Sequence, residues 1–133
     1  MEIVDDRLDV VEREVESLYL YLQSPFNREP EEMMDRSARL VAIHARASQL
    51  KGLSEEILMQ GRGIVVDMLR SENPKITAKE LELKTDQMCA HIEKVNTDIT
   101  ECVKTCNEQI SVLITLISYE KSEMNFTKQV QQT

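Results

Sequence analysis

Three stretches of this chain repeat apolar residues at alternating steps of four and three, and little else in it is patterned. The first runs Val4, Leu8, Val11, Val15, Leu18, Leu22. The second runs Leu40, Ile43, Ala47, Leu50, Ile57, Ile64, Met68, with Ser54 and Gly61 filling two slots. The third runs Leu81, Met88, Ile92, Val95, Ile99, Cys102, Cys106, with Thr85 in one slot. A repeat averaging about 3.5 residues keeps one stripe of an α-helix against a partner and imposes a left-handed supercoil. That stripe is narrower than the face a globular helix buries. The pattern predicts an all-α chain whose helices lie along other helices.

Composition restricts the alternatives. Aromatic residues make up 4 % of the 133, Trp is absent, and there are three Gly and three Pro, the proportions of long helices rather than of sheets. A formal net charge of −8 argues against nucleic acid or an anionic membrane as the main partner. The excess sits almost entirely in residues 1–36, so the first helix is an electrostatic match for a basic groove, or a well-solvated face. The chain opens Met-Glu with acids and no apolar run that would serve as a signal peptide. The run from Val112 to Ile117 is too short to span a bilayer, so membrane insertion is not expected. Three cysteines without framework spacing suit a reducing, cytoplasmic setting.

The breaks are placed by local chemistry. A first helix over about 3–23 ends at Ser24-Pro25-Phe26-Asn27, because Pro25 disfavours helical geometry at Ser24. Pro30 with Glu31 and Glu32 restarts helix after a break at 24–30, since proline suits the first turn and carboxylates suit its positive end. The short connection predicts an antiparallel return. The second helix, 31–71, contains Gly52, Gly61 and Gly63. The heptad phase through Gly61 favours continuity, and Gly61-Arg62-Gly63 is the expected place for any kink. Ser71-Glu72-Asn73-Pro74 opens a break at 72–76, and Thr77 with Glu80 forms a capping box for a third helix over about 77–128. There the seam steps from Cys106 to Ile110, Leu113 and Ile117, a stutter that relaxes the supercoil. Residues Ile110 to Ile117 are apolar on nearly every side, and two sister helices would not cover them. All of this reads as one domain, 1–133, an extended helical bundle completed by partner helices.

No catalytic constellation emerges. Zinc needs four converging ligands, and Cys89 and Cys102 are about 20 Å apart by helical rise alone. Cys102 and Cys106 occupy seam slots, where free Cys packs as a small apolar residue. Gly61-Arg62-Gly63 follows no strand and lacks the remainder of a phosphate loop. His44 flanks the seam residue Ile43 with no triad partner nearby in sequence. No metal or cofactor is expected. The residues expected to bind a partner are Val11, Val15, Leu18 and Leu22 on the first helix, and Ile92, Val95, Ile99, Ile110, Leu113 and Ile117 on the third.

The opening Leu8-Asp9-Val10-Val11-Glu12-Arg13-Glu14-Val15-Glu16-Ser17-Leu18-Tyr19 resembles the start of the dynactin subunit 3 family, the small shoulder subunits of dynactin. The stretch from Asp86-Gln87-Met88-Cys89 through Cys106-Asn107-Glu108 to Ser118-Tyr119-Glu120-Lys121 is similar to that family's last helix. The resemblance implies a non-catalytic structural subunit. It would pack with dynamitin and the large Glued-type subunit and support dynein-driven transport on microtubules. A coiled-coil subunit of a kinetochore, tethering or vesicle-trafficking complex would show the same seams, as would a self-contained three-helix adaptor.

Overall fold

A computed structural model describes the backbone of residues 2–132 and the side chains of residues 6–131. Val4, expected in the first seam, lies outside the described side chains. Four helices form: α1 (Glu2–Gln23), α2 (Pro30–Glu72), α3 (Ala78–Met88) and α4 (Ala90–Gln132). No strand occurs among the described residues. Nor is any described helix long and apolar enough to cross a membrane.

The predicted breaks between α1, α2 and α3 are reproduced for the reasons the sequence supplies, while the last helix runs on to Gln132 rather than ending near 128. Pro30 occupies the first turn of α2 behind Glu29, with Glu31 and Glu32 in the same turn. At its other end the Asn73 N–H closes the last turn on the Leu69 carbonyl at 2.9 Å, and the Lys75 N–H donates to Asn73 Oδ1 at 3.2 Å. Thr77 caps α3 by accepting the Glu80 N–H at 3.2 Å. The helix α2 runs unbroken through Gly61-Arg62-Gly63, so the expected kink site is regular helix.

The interruption falls elsewhere. The single helix expected over 77–128 is divided at Cys89, whose φ of −97° and ψ of 5° leave the helical basin by one residue. The ladder survives the joint: Cys89 N–H bonds Thr85 O at 3.0 Å and Glu93 N–H bonds Cys89 O at 3.1 Å. Thr85 Oγ1 donates back to Leu81 O at 2.7 Å, but Ser48, Thr97, Thr100 and Thr115 make the same bond in unbroken helix, so it does not by itself divide the helix. The packed line also changes step here, running Leu81, Thr85, Cys89 by fours and then Ile92, Val95 by threes. Each step of four carries the line about 40° round a helix of 3.6 residues per turn. The steps of three bring it back.

A neighbouring phase shift occurs in α2. Ile64 and Met68, expected in the seam, are more exposed than Val65 and Leu69, which take the buried slots. Steps of four from Gly61 to Val65 to Leu69 face the steps of four in α3, and Val65, Leu69 and Cys89 pack there with Ile76 and Leu81. Only two helices meet at this end. Steps of four carry the line round the helix faster than a heptad does, and in the opposite sense, so the pairing here departs from the left-handed supercoil of the middle.

Between these ends three helices overlap. Leu8, Val11 and Val15 of α1 pack with Leu50 and Ile57 of α2 and Ile92, Val95 and Ile99 of α4. Leu22 then packs with Met33, Leu40 and Ala47 of α2 and Cys102, Cys106 and Leu113 of α4. Beyond Ile117 no described residue of α4 belongs to the core. From Ser118 to Gln131 every residue but Glu120 is exposed, about 20 Å of helix past the body.

Candidate interaction surface

The seam expected to receive a partner is the chain's own core. Val11, Val15, Leu22, Ile92, Val95, Ile99 and Leu113 are at most 4 % exposed. Leu18, Ile110 and Ile117 are half-buried against them. With α1, α2 and α4 side by side, the three narrow stripes close on one another, so the residues expected to face a partner face sister helices instead. A second chain can reach them only if the three helices part.

The helices are further tied by polar contacts. Arg46 of α2 grips Glu14 of α1 through both of its ends, one of the bonds being Nη2 to Oε2 at 2.7 Å. That hydrogen bond holds the Glu14 carboxyl below its ordinary value. His91 Nε2 lies 3.3 Å from Glu12 Oε2, and Arg7 donates to Gln60 Oε1 at 2.9 Å. Part of the acidic face of α1 is therefore engaged inside the chain. Arg62 spans the joint at Cys89, reaching Asp86 of α3 at 2.8 Å and Glu93 of α4 at 3.2 Å.

One buried charge escaped the sequence reading. Arg36 is 6 % exposed, and its hydrogen bonds go to a hydroxyl, two carbonyls and an amide with no carboxylate among them. Its guanidinium sits 4.3 Å from the Tyr21 ring centroid and 5.5 Å from that of Phe26. It donates to Ser24 Oγ at 2.7 Å, to the carbonyls of Tyr21 and Leu22 at 3.1 and 3.3 Å, and to Gln109 Oε1 at 3.4 Å. Those carbonyls end α1, so the cation meets the negative end of a helix dipole. Gln109 completes the clasp by donating Nε2 to Leu22 O at 2.8 Å. The signal was legible: the 3–4 spacing continued back from Leu40 puts Arg36 and Met33 in phase.

The thiols are packing groups. Cys89, Cys102 and Cys106 are buried and unbridged. Burial pushes each thiol up, Cys102 to about 11. Cys106 Sγ also donates to Leu40 O at 3.0 Å. Among the described residues no group of three His, Cys, Asp or Glu side chains is placed to hold a metal ion.

Large apolar side chains are exposed on every helix, among them Leu20, Met59 and Leu83, and the outer side of α4 carries them in a row. Val112 and Ile114 are each 56 % exposed within the segment that is apolar all round. The stripe Val112, Leu116, Tyr119, Glu123, Phe126 keeps steps of four and three and lies about a third of a turn from the core-facing line of Cys106, Leu113 and Ile117. At its upper end Phe26 of the α1–α2 connection lies beside Thr105, Gln109 and Val112. No protein-family model, no curated protein and no solved structure matches the chain.

Proposed function

We propose that the chain is a non-catalytic helical subunit of a larger protein assembly, docking other helices along the outer stripe of α4. The observation that carries this reading is that α4 outruns its own bundle. Helical stability in water comes chiefly from packing an apolar face, and an unaccompanied stretch of this length is marginal. Yet Tyr119, Met124 and Phe126 project from it with more than half their surface exposed. The resemblance at both ends of the sequence directs the proposal to the dynactin shoulder. There dynamitin and the large Glued-type subunit would be the partners, dynein-driven transport the process, and the cytoskeleton-associated cytoplasm the location. Heptad pairing with those helices would use the α4 stripe, because the inner seam is occupied.

A second reading has its own observation. The three stripes close on one another, as a self-contained three-helix adaptor would require. Immunoprecipitation of the tagged full chain from cytosol separates the two. Recovery of dynamitin in a large complex, lost on Phe126→Asp, supports the shoulder subunit. A complex without dynactin subunits moves the chain to another assembly, such as a kinetochore, tethering or trafficking complex. A chain recovered alone supports the adaptor.

A further inference from the structure

We propose that two copies of this chain pair through the outer stripe of α4 as an antiparallel two-stranded coil, Leu116 of each packing on Phe126 of the other and Tyr119 of each meeting Glu123 of the other. The inference rests on α4 being a docking helix and adds the identity of what docks.

The stripe is self-complementary in one direction only. Written as heptad seam positions, Leu116 and Glu123 are of one class and Val112, Tyr119 and Phe126 of the other. An antiparallel pair sets one class against the other. With the two-fold axis crossing the interface at the level of residue 121, Leu116 falls opposite Phe126 and Glu123 opposite Tyr119. The one charge in the stripe thus meets a phenol. In a single chain the Tyr119 hydroxyl already donates to Glu123 Oε1 at 2.8 Å, so both groups are oriented along the stripe. Parallel pairing in register would place Glu123 against Glu123, a like-charge contact in a closing interface. A second copy sets a phenol against that carboxylate by symmetry, so the Tyr119–Glu123 bond made within one chain can equally be made across the pair, and the same patch serves both sides as an isologous interface requires.

Size and access also fit. Phe and Tyr side chains bury about 150–250 Å² each, so the four rings of a pair, more than half exposed in one chain, hide roughly 400–600 Å². Val112, the part of Leu116 that its own core leaves uncovered, and flanking stems bring the total towards the ~1,000 Å² that a specific interface must clear. The antiparallel direction sends the two three-helix bodies to opposite ends, so they do not collide. Lys121 and Lys128 lie on the far side of the helix from the stripe and stay in water.

Sedimentation equilibrium of the full chain at micromolar concentrations tests the proposal. The expected mass is twice the 15.3 kDa of the chain. Phe126→Asp, which touches no residue of the three-helix core, should return it to a single mass with the helical melt unchanged. Direction is read by mixing Tyr119→Cys chains with Glu123→Cys chains and oxidising with diamide. A disulfide between the two kinds of chain, with little within either kind alone, is expected. The native thiols are buried and do not compete. A single mass at every concentration overturns the proposal, and ready disulfide formation among Tyr119→Cys chains alone overturns the antiparallel arrangement. If the chain is monomeric but Phe126→Asp still abolishes dynamitin capture, the docking-helix reading stands without self-pairing. If capture is indifferent to Phe126→Asp, that reading falls as well.

Discussion

At Ser54 the structure keeps a hydroxyl where it gains nothing. The side chain is fully buried in α2 and its Oγ has no hydrogen-bond partner. Ser54→Ala removes an unsatisfied polar atom and improves helix propensity, so denaturant unfolding should show about 0.5–1 kcal/mol of added stability. Arg36 offers a finer test. Both carbonyls it caps have second donors, Ser24 N–H to Tyr21 at 3.0 Å and Gln109 to Leu22 at 2.8 Å, and its Nε is unpaired. A buried cation so placed adds little net stability. Arg36→Met should stay within about 1 kcal/mol of wild type, whereas Arg36→Ala loses the packed stem and should cost about 2–4 kcal/mol. The thiols give a pH signature. Their folded values lie above the ordinary thiol value of 9.0, so the folded chain holds protons that the unfolded one releases. Stability is therefore full below pH 9 and falls as pH rises towards 11, the value for Cys102. Urea midpoints measured across that range should decline.

Among the elements, the seams were legible as spacing but their destination was not. Spacing says that a stripe faces helices, and it is silent on whether those helices are in the same chain. The breaks at Pro25, Pro30 and Pro74 and the cap at Thr77 were readable because each is fixed within four residues. The joint at Cys89 was not, since it coincides with a step change that matches α2 across the interface. Likewise Val65 and Leu69 displaced Ile64 and Met68 because α1 ends short of that part of α2, and pairing there obeys two helices rather than three. The outer stripe of α4 was half-seen, as an apolar-all-round segment that sister helices would not cover. Two predictions belong to this scale. Gly52 and Gly63 are in regular helix, and an added Cβ would meet nothing within 4 Å at either. Gly52→Ala and Gly63→Ala should each stabilise by about 0.5–1 kcal/mol, additively, in thermal melts. Leu113→Asp, by contrast, buries an unpaired charge in the body. It should cost several kcal/mol, showing as lost helicity in circular dichroism and not merely as lost partner binding.

The whole molecule has a stability gradient along its length: a three-helix middle, a two-helix end at α2–α3, and a single helix projecting beyond Ser118. Local opening is easiest where few apolar contacts hold the backbone. Amide hydrogen exchange should therefore be slowest around Leu50, Ile57, Ile92 and Ile99, and fastest from Tyr119 onward, with the latter slowing as concentration rises if α4 pairs. The central claim is that the inner seams are satisfied within one chain while assembly proceeds through the outer face of α4. Thermal unfolding of the Phe126→Asp chain, followed by circular dichroism over a wide range of concentrations, separates these two roles most directly. One cooperative transition is expected, at a midpoint that does not move with concentration. A gradual melt, or a midpoint that climbs with concentration, would show instead that the seams need a second chain.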